Sequence, residues 1–318
     1  MNRNMAAVVA LACSCAAVNL APLTAQIGTL REIALPAHSL ANATSSIESD
    51  SGPEAVAFDD TYVWVAEQFT NTVTRLDRLT GLPVGTFPVG LRPVALLRVG
   101  TTVWVANLES DTVTILRASD GGLIATVKAG DGPGALAFDG SHVWVANRNR
   151  NSVSKMSLDG TLLASYRTGR RPLNLAYDGS SLWVVNNLRN NVTKLRPTDG
   201  AVLDTIRVGE GPFGILHDGS SIWVTNFFSH SVTRIRPDDG AILGTYKVGD
   251  GPAGLATDGK SIWVANNGSS TVTRLDQATG AVVETYNSGR GPFSIAFDGR
   301  NIWVANFGAN SVSTTLGR

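Results

Sequence analysis

The chain has 318 residues, a formal net charge of zero, 43% hydrophobic residues and only 16% charged ones. That composition supplies a large core and excludes a disordered chain. The charge balance gives no global attraction to nucleic acid or anionic membrane, so such binding would need a local patch.

The N-terminus reads as an export signal. Arg3 supplies a positive start, residues 5–18 (MAAVVALACSCAAV) form a short apolar run, and Ala25 in LTAQ offers a cleavage point. Residues 1–25 are therefore read as a signal peptide that directs the chain to the periplasm or outside the cell. The apolar run is short for a membrane span. A lipoprotein cut before Cys15 is the weaker alternative, because ACSC is a poor lipobox. Cys13 and Cys15 are the only cysteines. A mature chain starting after Ala25 has none and depends on packing rather than disulfides.

Residues 28–36 (GTLREIALP) follow as an isolated strand candidate, and 37–50 (AHSLANATSSIESD) as a polar linker. From there the chain repeats. Trp64, Trp104, Trp144, Trp183, Trp223, Trp263 and Trp303 fall on one register. A fixed period of about 40 residues marks a repeat architecture. In the unit at 251–289, four short strand candidates (AGLAT, SIWVAN, TVTRLD, AVVETYNS) are separated by turn residues, including Asp258-Gly259 and Gly280. Asp-Gly between apolar runs is a hairpin signal, since the turn needs positive φ. The second strand lacks polar alternation, as expected of a sheet covered on both faces.

Four strands repeated seven times predict an all-β, seven-bladed β-propeller with tryptophans at the junctions between blades. The last unit ends at its third strand. The strand at 28–36 is expected to complete it and close the ring, so that residues 26–318 form one domain.

The stretch VGDGPAGLATDGKSIWVANNGSSTVTRLDQATGAVVETY (248–286) resembles the YVTN-type propeller repeat and the related streptogramin (virginiamycin B) lyase-like propellers. The resemblance covers nearly the whole mature chain. It implies the fold more strongly than an activity, because such propellers host enzymes, binders and surface proteins. Its lyase members use histidines and glutamates around the central opening with a divalent cation. The matching loop positions here hold Glu54, Val94, Gly134, Leu173, Phe213, Ala253 and Phe293, and the second set holds Phe69, Glu109, Asn149, Leu188, Phe228, Gly268 and Gly308. None is histidine.

Naming the strands of each blade A to D, the A–B and C–D turns share one face and the B–C and D–A loops share the other. Loop variation concentrates on the second face, where a site is expected. Asn107, Asn147, Asn186, Asn226, Asn266 and Asn306 end strand B in six units. They read either as amides satisfying backbone groups of their own turns or as a ring that binds a polar ligand or cation. Glu67 takes the Asn position in the first unit. It reads as a solvated acid, a cation ligand or a general base. Arg148, Arg150, Arg170, Arg171 and Arg189 cluster in loops of units three and four and suggest an anion-recruiting patch. Phe213, Phe228 and Phe293, with Phe69, Phe227 and Phe307, read as a channel plug or an apolar half of the face.

The expectation is an exported, monomeric, non-catalytic scaffold that binds a protein, anionic small molecule or acidic glycan on this face without a cofactor. Nucleic acid is disfavoured, since no aromatics interleave with the arginines. The alternatives are a cation-dependent lyase opening a cyclic ester, with magnesium or calcium near Glu67, and a surface-layer or adhesion module.

Overall fold

A computed structural model of the chain describes residues 30–34 and 51–315. The signal-peptide stretch 1–25 and the linker 37–50 lie outside the described residues. Seven four-stranded antiparallel sheets follow one another in chain order. In blade 6 the strands are Pro252–Thr257, Ser261–Asn266, Thr271–Asp276 and Val282–Asn287. Strand A thus begins on the proline, one residue before the apolar alternation suggests. The one helical segment among the described residues is a 3-10 turn at Asn187–Arg189.

Blade 7 confirms the closure expected from the chain ends. Its three strands Pro292–Phe297, Ile302–Asn306 and Ser311–Thr314 are completed by Arg31–Ala34, which pairs antiparallel with the last of them, Ile33 opposite Val312. Across this seam Arg78 Nε lies 2.9 Å from Asp298 Oδ2, and Val56 N–H donates to Ser294 Oγ at 3.1 Å.

The burial pattern explains why the pattern of strand B carries no polar alternation. Ile222–Asn226 is buried throughout, whereas the outer strand Ile242–Lys247 alternates between exposed and half-buried. All seven indoles are fully or nearly fully buried. Each lies against the following blade. Trp183 packs with Ile215, Ile222, Val224 and Ile235, and Trp303 with Val56, Val63, Val65 and Leu76 across the seam. Burying one such ring contributes on the order of 4–6 kcal/mol by area.

The Asp of the A–B turn does more than favour a hairpin. Asp178 Oδ2 accepts the Trp183 indole N–H at 2.7 Å, while Oδ1 accepts the N–H groups of Ser180 and Ser181 at 2.7 and 2.6 Å. The same indole bond recurs at Asp59, Asp139, Asp218, Asp258 and Asp298. Blade 2 lacks the Asp, and Trp104 donates to Thr102 Oγ1 instead. A buried indole N–H without an acceptor would cost stability, so the turn and the core are specified together.

Cations on strand C tie blades to one another. The Arg234 guanidinium lies 5.1 Å over Trp223 and donates to the Ala278 carbonyl of the next blade at 2.7 Å. Lys194 does the same with Trp183 and the Pro237 carbonyl. The C–D turn glycine completes the joint. Gly280 holds φ +76°, and a Cβ there would collide with the Tyr246 ring of the preceding blade.

Candidate functional site: an arginine-lined cavity on the loop face

The B–C and D–A loops are latched by a repeated hydrogen bond. The last residue of each B–C loop takes positive φ, and its side chain accepts a backbone N–H from the next D–A loop. The pairs are Asn71 with Arg92 at 2.7 Å, Asp111 with Gly132 at 2.8 Å, Asn151 with Arg171 at 2.8 Å, and Asn190 with Gly211 at 3.0 Å. His230 Nδ1 serves Gly251 at 3.1 Å, Ser270 serves Gly291 at 3.3 Å, and Asn310 serves Ser51 at 3.0 Å across the seam.

The position just before the strand-A proline also takes positive φ in every blade. In five blades it is glycine: Gly52, Gly132, Gly211, Gly251 and Gly291. In blades 2 and 4 it is Arg92 and Arg171, at φ +56° and +55°. A left-handed conformation costs a non-glycine residue roughly 1–3 kcal/mol. The following proline adds to that, because its Cδ drives the preceding residue toward extended backbone.

Both strained arginines line one cavity of about 480 Å³, together with Arg148 from the B–C loop of blade 3. Arg148 is 6% exposed, and its Nη1 has no hydrogen-bond acceptor. Burial pushes its pKa down to about 9. The Glu54 carboxylate opposes that shift, and the charges of Arg92 and Arg171 add to it. Burial also lowers the pKa of Arg171. Both remain cationic at neutral pH, held in a site that penalises their charge.

The acids lining the same cavity are already engaged. Glu109 lies 3.1 Å from Arg92 Nη1, Asp131 lies 3.3 Å from Arg150 Nε and accepts from Asn149 at 2.9 Å, and Asp111 holds the Gly132 latch. A second cavity of about 280 Å³ adjoins the first, sharing Arg92 and Glu109.

The residues singled out in the sequence are distributed unevenly over this face. Arg148 and Arg171 both line the cavity, whereas Arg150, Arg170 and Arg189 are exposed and are not among its lining residues. Arg92 was missed. The signal was available, since GLRP (90–93) puts arginine before the proline just as GRRP (169–172) does, where the other units have glycine.

The Asn residues ending strand B do not bond the backbone of their turns. Asn266 Nδ2 donates to the hydroxyls of Thr271 and Thr273 at 3.1 and 2.8 Å, and Asn107, Asn147, Asn186, Asn226 and Asn306 bond strand-C side chains in the same way. All six are sealed from solvent. A D–A loop glycine presses on each: a Cβ at Gly249 would fall 2.7 Å from Asn266 Cγ. Glu67 is likewise buried rather than solvated, and its Oε2 accepts from the Thr72 and Thr70 hydroxyls at 3.0 and 3.3 Å. Among the described residues no group of three or more His, Cys, Asp or Glu side chains is arranged to hold a metal.

The phenylalanines divide. Phe213 and Phe293 are buried, meet edge to face at 5.2 Å, and cluster with Val94, Leu173 and Ala253 from other blades. Phe213 stands on strand Pro212–His217 of blade 5 and Phe293 on strand Pro292–Phe297 of blade 7, so the rings meet across blades that are not neighbours. Phe228 and Phe69 are more than half exposed.

Against known proteins, no family profile matches the chain, and no curated protein matches it. Solved structures do. A streptogramin B lyase superposes with a TM-score of 0.75 at 20% identity, covering 90% of this chain and 96% of that one. A virginiamycin B lyase from Staphylococcus aureus gives 0.73 at 19% identity, covering 84% and 96%. A chain of Kuenenia stuttgartiensis hydrazine synthase gives 0.75 at 21% identity, covering 85% and 97%. The chain has the seven-bladed fold of the lyase-like β-propellers. At these identities the likeness is one of fold. No helix among the described residues is long and apolar enough to cross a membrane.

Proposed function

We propose that the protein is an exported, non-catalytic scaffold that captures an organic anion in the cavity between blades 2, 3 and 4. One observation carries the reading. The repeat places glycine at the left-handed position before the proline, and the two blades that place arginine there aim both residues at the cavity that holds buried Arg148. Backbone strain at Arg92 and Arg171 and desolvation of Arg148 and Arg171 are costs that a bound anion offsets. Arginine suits carboxylate or phosphate, because its planar fork donates two parallel bonds.

The loop face serves as the recognition surface, and the signal-like sequence of residues 1–25 supports a role in the periplasm or outside the cell. Binding is preferred to lyase chemistry because none of the loop positions matched to the histidines of the resembling lyases (Glu54, Val94, Gly134, Leu173, Phe213, Ala253 and Phe293) holds histidine. Titration calorimetry of the mature protein with citrate and with inorganic phosphate tests the reading. Saturable binding of either anion, weakened at least tenfold by Arg171→Gln (about 1.4 kcal/mol or more), supports it. Absence of heat with both anions refutes it.

A further inference from the structure

The second cavity narrows the ligand class. It is lined by Phe69, Leu91, Gln68 and Asn71 in addition to the shared Arg92 and Glu109. Phe69 and Leu91 are 56% and 53% exposed, a large apolar surface left beside a polar, arginine-lined pocket. Phe69 is not a loose side chain. Its ring lies against Phe307 at 5.7 Å and over Gly52, where a Cβ would come within 2.6 Å of it. Gly52 therefore leaves the space that holds the ring at the cavity wall.

Arg92 stands between the two compartments and is fixed there. Its Nε donates to Gln68 Oε1 at 2.8 Å and its Nη1 to Glu109 Oε1 at 3.1 Å. The result is a two-part groove, with guanidinium groups at the blade 3 and 4 end and a preset aromatic wall at the blade 1 end.

Resting on the anion-capture reading, we infer that the ligand is an anionic amphiphile. Its carboxylate or phosphate head occupies the Arg148–Arg171 compartment, and an aromatic or branched aliphatic body lies along Phe69 and Leu91. A rigid ring is a good anchor for such a body because little side-chain freedom remains to be lost on binding.

Paired probes test this: inorganic phosphate against phenyl phosphate, and acetate against benzoate, titrated into the mature protein, the double variant Phe69→Ser/Leu91→Ser, and Arg171→Gln. The expected result is that the aromatic member of at least one pair binds about tenfold more tightly. The double variant should remove that preference while leaving the affinity for the simple anion within twofold. Arg171→Gln should weaken both members. If simple anions bind but their aromatic partners bind no better, or the preference survives in the double variant, the amphiphile inference is wrong and anion capture stands. If none of the probes binds, both fail together. Thermal melts of each variant separate loss of binding from loss of fold.

Discussion

The Arg171 backbone N–H donates to Asn151 Oδ1 at 2.8 Å, and both residues sit at φ +55° where they meet across the junction of blades 3 and 4. The latch needs that backbone shape but not that side chain, because glycine makes the same bond at Gly132 and Gly211. Arg171→Gly should therefore keep the fold and relieve strain, offset in part by the extra freedom of an unfolded glycine. The expected change is a gain of about 0–2 kcal/mol in denaturant unfolding, accompanied by loss of anion binding. A variant that is both less stable and fully active would contradict the assignment.

His230 occupies the latch position that other blades fill with Asn, Asp or Ser, and its Nδ1 must be unprotonated to accept from Gly251 N–H. Asn tolerates positive φ better than most residues. His230→Asn should match or exceed the wild-type melting temperature, while His230→Ala should lower stability by about 1–2 kcal/mol. Equal melting temperatures for the two variants would show that this bond contributes nothing.

The carboxylates beneath the indoles make stability depend on pH. Burial alone would raise the pKa of Asp178, but bonds from Trp183, Ser180 and Ser181 outweigh it and hold the group below its ordinary value. Asp139 is lowered in the same way, with bonds from Trp144, Ser141 and His142 outweighing its burial. A depressed folded pKa means the contribution is fully present above the unfolded value of about 3.9 and is lost as pH falls through the folded value. The melting temperature should hold steady from pH 6 to about 4 and then drop. Asp178→Asn should start lower and show a shallower acid limb. For comparison, Trp183→Ala should cost about 3–5 kcal/mol by leaving a cavity between two blades.

The closing seam contains an ion pair whose acid is completely buried. The side chain of Asp298 is 0% exposed and that of Arg78 is 23% exposed, and the same carboxylate accepts the Trp303 indole N–H at 2.8 Å. A double-mutant cycle on Arg78→Ala and Asp298→Asn, read by urea unfolding, should give a coupling of about 1–3 kcal/mol. A coupling near zero would mean that strand Arg31–Ala34 and the indole close the ring without this pair.

The fold was legible because one signal repeats seven times. The indole register and the turn residues gave blade count, strand order and the exchange of the N-terminal strand into blade 7. What periodicity concealed was the partnership between side chains. The Asp before the A–B glycine looks like a turn former, yet its second oxygen serves the indole five residues on. The Asn ending strand B looks like a turn residue, yet it faces inward to strand-C hydroxyls, since the loop glycine beside it lets the chain pass close. The arginine patch was legible as composition. Its working members were not, because burial of Arg148 and convergence of Arg92 and Arg171 arise from loops 79 residues apart in the chain, about two repeats. Arg92 differed from its equivalents only by standing where glycine belongs.

A crystal structure of residues 26–318 grown with phenyl phosphate tests the central claim most directly. The account predicts phosphate oxygens within hydrogen-bond distance of the Arg148 and Arg171 guanidinium groups, with Arg148 Nη1 acquiring its acceptor. An arginine-lined cavity holding only water, with the anion bound elsewhere on the disc or not at all, would contradict it.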